Sequence, residues 1–218
     1  MGTFVQYGCG LSNPESWHNF DASPRLRIEN LPIINFLMRS SGKKLFPDNV
    51  KYGDIIKGLP YSPGEVDNIY CSHVLEHLDR KSIKLALDNT FKILKPNGVF
   101  RLIVPDLSWR VDEYVRLRDK GQVDAADKLM RSCLLGQEKQ KKGIEARVRA
   151  MFGNAEHLWM YDENAMRELL MQAGFVNIRR CDFGDSADAV FSTVENRDRF
   201  YENNGERELA IEAHKPLD

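Results

Sequence analysis

The chain has 218 residues, of which 42% are hydrophobic and 29% charged, and its formal net charge at pH 7 is −1. This balance is that of an ordinary globular domain and provides no overall positive field for nucleic acid or an anionic membrane. The 4 cysteines include no C-x-x-C pair, which argues against a zinc ribbon, a redox motif and a disulfide framework. No apolar run reaches the roughly 20 residues of a membrane span. We therefore expect a reduced, cytoplasmic protein that does not enter a membrane.

The first predicted strand ends at two glycines, Gly8 and Gly10, with Cys9 between them. Glycine has no Cβ, so a turn of this kind lets the backbone approach a ligand closely. The following segment, 11–19, is too short for a full crossover helix, which needs roughly a dozen residues with its loops. We predict one helical turn at most before a second strand that ends at Asp21.

The rest of the chain alternates between strand and helix patterns. Strands are predicted at 50–53, 66–73, 99–104, 175–181 and 208–213, and helices at 31–38, 80–94, 163–172 and, with breaks at Gly121, Gly136 and Gly143, from 109 to about 150. The alternation predicts an α/β fold with a mostly parallel sheet and helices on both faces. We interpret the segment from about 107 to 160 as a helical insertion after the fifth strand, within a single domain of residues 1–218.

Several segments together resemble the successive motifs of class I S-adenosylmethionine-dependent methyltransferases. They are YGCG at 7–10, NFDASP at 19–24, YGDIIKGLPY at 52–61, VDNIYCSHVLEHL at 66–78 and LKPNGVFRLIVPDL at 94–107. The likeness covers residues from about 4 to 214 and is closest to a bacterial-type group that also carries HLWMYD, here at 157–162. It implies a Rossmann-like sheet of seven strands, S-adenosylmethionine as cofactor, and methyl transfer to an acceptor.

The resemblance also implies which residues hold the cofactor: Gly8, Cys9, Gly10, Asp21, Asp54, Ile55, Ser72 and His73. Asp21 would accept hydrogen bonds from the ribose hydroxyls, and Asp54 would accept from the adenine amino group while Ile55 packs on the ring. The structural alternative is that each aspartate caps the turn or helix that follows it. The chain departs from the family pattern at Gln6, where an acid is usual, and in its short first connection.

The sequence HVLEH at 73–77 also matches the H-x-x-E-H zinc motif of one peptidase class. On a helix, His73 and His77 would share a face with Glu76 beside them, which suits a metal. We nevertheless expect no metal, because His73 ends a strand and no third ligand is evident. His73 is the candidate general base at the methyl end of the cofactor, whereas Glu76 and His77 fit equally well as an ordinary helix start.

Candidate acceptor residues follow the fifth strand and the insertion. Asp106, also a candidate catalytic group, ends the fifth strand, where substrates lie in this fold. His157, Trp159 and Tyr161 combine rings with polar tips, which suits a pocket for a small polar molecule. Trp159 fits a core anchor as well. We expect a small hydroxylated acceptor such as a sugar unit, under a lid formed by the insertion, with amino groups and carboxylates left open.

Other functions fit parts of the pattern. A cofactor-binding partner or regulatory protein without catalysis is compatible with Gln6 and the short first connection. A nicotinamide oxidoreductase is disfavoured because Asn13 stands where G-x-G-x-x-G needs its third glycine. Nucleic acid is not expected as a substrate, since the basic cluster at 139–142 with Arg147 and Arg149 indicates a solvated helix face. The sequence leaves the oligomeric state open.

Overall fold

The structure, a computed structural model, describes residues 2–40, 46–136, 156–201 and 205–217. The basic cluster at 139–142, Arg147 and Arg149 lie outside the described residues, as do the hinge candidates Gly143 and Gly153. In the part of the chain that is described, every helix is too short or too polar to cross a lipid bilayer.

One sheet of seven strands forms the centre of the described chain. The strands are β1 (Phe4–Tyr7), β2 (His18–Asp21), β3 (Val50–Tyr52), β4 (Val66–Ser72), β5 (Leu94–Val104), β6 (Val176–Arg180) and β7 (Leu209–His214). Their spatial order is β3-β2-β1-β4-β5-β7-β6. The first five strands pair in parallel, and β7 runs antiparallel to both of its neighbours. The predicted mostly parallel, Rossmann-like sheet is confirmed, with an antiparallel part at its C-terminal end.

The described helices are α1 (Pro24–Glu29), α2 (Pro32–Ser40), α3 (Ser82–Ile93), α4 (Leu107–Asp119), α5 (Ala125–Ser132) and α6 (Glu163–Gln172). Short 3-10 turns lie at Leu75–His77, Ala189–Thr193 and Arg197–Arg199. The sequence pattern does not predict α1, because its Ser-Pro start was assigned to a turn. The helix begins with Pro24 after Ser23, whose hydroxyl accepts from the backbone N–H of Arg25.

The two faces of the sheet are covered differently. On one face, α3 and α6 pack against apolar side chains such as Ile69, Leu102 and Ile211, all fully buried. The other face is covered near β3 by Leu26 of α1 and toward β7 by the 3-10 turn that carries Phe191. The sheet is therefore buried on both faces.

Residues 8–17 connect β1 to β2 through turns without a helix, in agreement with the short spacing. Gln6 explains how this connection is held. Its Nε2 donates to the carbonyl of Ser12 at 3.1 Å and to Oδ1 of Asn19 at 2.5 Å. Asn19 in turn donates to the carbonyl of Pro14 at 3.2 Å. Gln6 therefore stabilises the loop at 8–17, which stands where a first helix is usual.

A buried ion-pair network lies across β5 and β7 on the second face. The guanidinium of Arg101 is fully buried and donates to Glu195 and, at 2.9 Å, to Glu212. Its Nη1 also reaches Asp185 at 3.0 Å, and its Nη2 donates to the Asp182 carbonyl at 2.6 Å. These contacts tie the segment after β6 to the centre of the sheet.

Candidate active site

The carboxyl ends of the parallel strands meet at one edge of the sheet, and the glycine loop lies there after β1. Gly8 and Gly10 have φ of +65° and +55°, in the left-handed region that favours glycine. A Cβ added to Gly8 would lie 2.0 Å from Cγ2 of Val74, whereas one added to Gly10 would meet nothing within 4 Å. Gly8 is thus required by packing against the loop after β4, and Gly10 faces open space through which a ligand can approach.

Asp21 fixes the conformation of this loop. Its Oδ2 accepts from the backbone N–H of Gly10 at 2.9 Å, and its Oδ1 accepts from that of Ser23 at 2.7 Å. The capping role considered from the sequence is therefore present. Each carboxylate oxygen can accept more than one hydrogen bond, so a role toward ribose hydroxyls stays compatible with these contacts.

Cys9 contributes to the loop through its backbone. Its side chain packs in an apolar cluster with Leu26, Phe46 and Val50, and its N–H donates to the Phe20 carbonyl at 3.0 Å. Burial, with a smaller effect from the Asp21 carboxylate, raises the pKa of the Cys9 thiol to about 12. The thiol is therefore a packing group and not a nucleophile at neutral pH.

Asp54 and Ile55 lie in a turn after β3. Asp54 accepts from the backbone N–H of Ile56 at 3.0 Å and pairs with the Lys57 ammonium at 3.1 Å. The Ile55 side chain is buried in the main core cluster. The structure thus gives Asp54 its capping role and places Ile55 in the core, so their contacts with adenine stay a prediction.

The loop after β4 has a specific backbone shape. Ser72 ends the strand, and His73 follows with a φ of +54° while its N–H donates to the Ile103 carbonyl at 2.9 Å. Glu76 and His77 then belong to a 3-10 turn. HVLEH is therefore not a continuous α-helix, and His73 and His77 do not share a helical face as they do in the peptidase motif.

The segment HLWMYD lies against this loop. The backbone N–H groups of Leu158 and Trp159 both donate to the carbonyl of Glu76, at 2.8 and 3.1 Å. Further along, Tyr161 forms a parallel bridge with Asp106, and its carbonyl accepts from Leu107 at 3.0 Å. HVLEH and HLWMYD, far apart in sequence, are thus in direct contact in the fold.

A cavity of about 870 Å³ opens beside this contact. Most of its lining residues are polar or charged, and the lining includes His73, Glu76, His77, Trp109, Arg110 and His157. Arg110 is held by Glu208 in a buried bidentate pair with distances of 3.0 and 2.9 Å. The helices α4 and α5 supply much of the remaining wall, so the predicted insertion does contribute to a pocket.

Three of the predicted acceptor residues do not line this cavity. Asp106 is the N-cap of α4, accepting from Ser108 at 2.9 Å, and it pairs with Arg180 at 2.7 Å. Tyr161 is 0% exposed and belongs to the core cluster. Trp159 is 46% exposed with the Arg80 guanidinium 5.1 Å from its ring centre. The structure thus engages these three side chains in contacts outside this cavity, and their pocket and catalytic roles stay predictions.

Three imidazoles surround one buried carboxylate at the inner end of the cavity, and we call His73, Glu76, His77 and His157 the His–Glu cluster. Oε1 of Glu76 lies 3.5 Å from Nδ1 of His73 and 3.8 Å from Nε2 of His77. Burial opposes protonation of His73, but Glu76 and Glu208 offset this and raise the pKa of His73. Burial lowers the pKa of His157, so its ring is neutral at pH 7.

The family model described as a methyltransferase domain matches residues 11–180. The chain belongs to the methyltransferase domain family. It is an S-adenosylmethionine-dependent methyltransferase, and its cofactor is S-adenosylmethionine.

One solved structure supports this fold for the methyltransferase, and a second is similar at a lower TM-score. A methyltransferase from Thermotoga maritima superposes with a TM-score of 0.50 at 14% identity, over 99% of this chain and 83% of that one. One from Archaeoglobus fulgidus gives a TM-score of 0.49 at 15% identity, over 98% of this chain and 86% of that one. At such identities the likeness shows the fold alone. No curated protein matches the sequence significantly.

Sequence reasoning missed how the parts of the methyltransferase cavity meet. It flagged His157 as a pocket wall and HVLEH as a separate motif, and it did not connect His157 with Glu76. Nor did it single out Arg110 and Glu208, which are charged residues in segments without any motif. The sequence carries little indication of their role, because only their burial in the folded chain distinguishes Arg110 and Glu208 from surface charges.

Proposed function

We propose that this methyltransferase moves the methyl group of S-adenosylmethionine to a hydroxyl of a small polar acceptor held in the cavity. The observation that carries this proposal is the contact between the glycine loop and the loop after β4. Gly8 packs directly against Val74, and Val74 follows His73, which lines the cavity. The glycine loop and the cavity therefore both adjoin the loop after β4.

On the donor side, we assign the cofactor to the backbone of Gly8, Cys9 and Gly10, with Asp21 toward the ribose. Ser72 and His73 border the methyl end. The open space at Gly10 supports this assignment, because a bound ligand can reach the backbone N–H groups there. The whole chain, 1–218, acts as one methyltransferase domain in this proposal.

On the acceptor side, the chemistry of the cavity wall favours a molecule rich in hydroxyls. Arg110, the imidazoles of the His–Glu cluster and the Trp109 ring combine donors, acceptors and one aromatic surface. Such a mixture suits a sugar unit or a related metabolite better than an apolar ligand. Because methyl transfer is a displacement on an already activated carbon, the protein mainly aligns the two reactants and handles the hydroxyl proton.

The test is a methyl-transfer assay that follows formation of S-adenosylhomocysteine with matched sets of hydroxyl, amine and carboxylate acceptors. We expect turnover with a hydroxylated acceptor. Replacing Trp109 by alanine should lower turnover at least tenfold while the affinity for S-adenosylmethionine changes less than about threefold, which is under ~1 kcal/mol. His214→Gln, at the far end of β7, is the control. Turnover confined to amines would contradict the proposed acceptor, and loss of cofactor affinity in Trp109→Ala would place that residue on the donor side.

A further inference from the structure

We propose that Glu76, His77 and His157 form a binding site for a divalent transition-metal ion at the inner end of the cavity. One ligand atom from each of the three side chains lies within 4.8 Å of the other two. Ligand atoms bound about 2.1 Å from a metal stand roughly 3–3.5 Å apart, so small side-chain rotations bring these three into coordination.

Two side chains in this group carry buried polar atoms that have no hydrogen-bond partner among the described residues. The Glu76 side chain is 1% exposed, and neither of its oxygens has a hydrogen-bond partner among the described residues. The same holds for Nδ1 of His157, a residue that is 8% exposed. A buried carboxylate in this situation is unfavourable, and a cation bound to it removes the penalty.

The histidine tautomers point the same way. Nδ1 of His77 lies 3.0 Å from the carbonyl of Glu156, and a carbonyl only accepts, so Nδ1 carries the hydrogen. In the neutral ring the lone pair of His77 is then on Nε2, which lies 3.8 Å from Oε1 of Glu76. A metal-ligating histidine usually donates its other ring N–H to a backbone carbonyl in this way.

His73 places a second imidazole nitrogen near the same oxygen of Glu76. Its Nε2 lies 3.2 Å from the Arg199 carbonyl and therefore donates to it. In the neutral ring this leaves the Nδ1 lone pair 3.5 Å from Oε1 of Glu76. Two imidazole nitrogens that approach one carboxylate oxygen are stabilised when a proton or a cation lies between them and that oxygen. His73 is thus placed next to the ion without being one of its three ligands.

The ligand set indicates the kind of ion. Two imidazole nitrogens and one carboxylate oxygen suit Zn²⁺, Co²⁺ or Mn²⁺, whereas Mg²⁺ and Ca²⁺ prefer oxygen ligands throughout. Three protein ligands leave at least one coordination position, which here opens to the cavity. The sequence led us to expect no metal, in part because no third ligand was evident. In the proposed site, His157 is that third ligand.

The role of the ion in catalysis rests on the proposed function, while metal binding itself does not. An acceptor hydroxyl bound to the ion has a lowered pKa and loses its proton to water. The oxygen then forms a bond to the methyl carbon as the bond from that carbon to the sulfonium breaks. The electron pair of the broken bond stays on sulfur, giving S-adenosylhomocysteine.

The experiment is a titration of untagged, chelator-treated full-length protein with Co²⁺, followed by visible absorption, and with Zn²⁺, followed by calorimetry, both without S-adenosylmethionine. We expect one ion per chain and a loss of affinity on the order of 100-fold in Glu76→Gln, His77→Gln and His157→Gln. His214→Gln is the matched control and should bind as the wild type does. Circular dichroism establishes that each variant is folded.

The absence of saturable binding in the wild type overturns the proposal, whatever the variants do. Wild-type affinity in folded Glu76→Gln and His157→Gln overturns it as well, because the ion then binds elsewhere. The outcome is separable from that of the proposed function. A protein that binds the ion but methylates no hydroxylated acceptor would keep the metal site and lose the proposed acceptor. Full turnover in chelator, without any bound ion, would keep the acceptor and remove the role of the ion in the reaction.

Discussion

Replacing Gly10 by alanine separates the structural role of the glycine loop from its role toward the cofactor. Gly10 has a φ of +55°, so an alanine there costs roughly 1–2 kcal/mol of unfolding free energy. The new methyl group meets no protein atom within 4 Å and projects into the space assigned to S-adenosylmethionine. We therefore expect at least a tenfold weaker affinity, equivalent to about 1.4 kcal/mol or more.

Gly64 provides the matched control, since its φ is +70° and an added Cβ would also meet nothing within 4 Å. It precedes β4, at the opposite end of the strand from the cofactor edge. Urea denaturation should show similar destabilisation in Gly10→Ala and Gly64→Ala. Calorimetry should show weakened S-adenosylmethionine binding only in Gly10→Ala. If Gly10→Ala loses stability as expected yet binds the cofactor like the wild type, the reasoning that places the cofactor against this loop is refuted.

Three further predictions concern the remaining buried groups and the adenine end. Arg101→Met should lower the unfolding free energy by about 3–5 kcal/mol in urea denaturation, because it leaves Glu195 buried without its guanidinium partner and leaves Glu212 with Arg179 as its remaining guanidinium partner; a loss under about 1 kcal/mol would contradict the buried network. With a pKa of about 12, the Cys9 thiol should be only about one part in ten thousand thiolate at pH 8 and should react slowly with Ellman's reagent until the protein is unfolded; rapid labelling of native Cys9 would disprove its burial. Asp54→Ala should weaken S-adenosylmethionine binding by roughly 1–3 kcal/mol if the carboxylate accepts from adenine, and unchanged affinity in calorimetry would leave Asp54 as a turn cap alone.

The sheet was predictable because its information is local. The alternation of strand and helix patterns predicted each strand and the mostly parallel arrangement. The shortness of segment 11–19 predicted that no full helix lies between β1 and β2. What the spacing did not reveal was the compensation by Gln6. Gln6 departs from the acid usual in the family, and its hydrogen bonds to Ser12 and Asn19 hold the short connection between β1 and β2.

The site was less predictable because its contacts are non-local. Both motifs that form it were visible, but the docking of Leu158 and Trp159 on the Glu76 carbonyl depends on the fold. Asp106 illustrates the same limit. Its position at the end of β5 suggested a substrate contact, and its pairing with Arg180 from β6 shows a structural use that no local pattern indicates.

The most direct test of the account is a crystal structure of the protein with S-adenosylhomocysteine. The account predicts that the ligand lies across the carboxyl ends of β1 to β4, with its amino-acid end against Gly8 and Gly10 and its sulfur directed past His73 into the cavity that contains Glu76 and His157. A ligand bound away from the glycine loop, or one whose sulfur points out of that cavity, would contradict it.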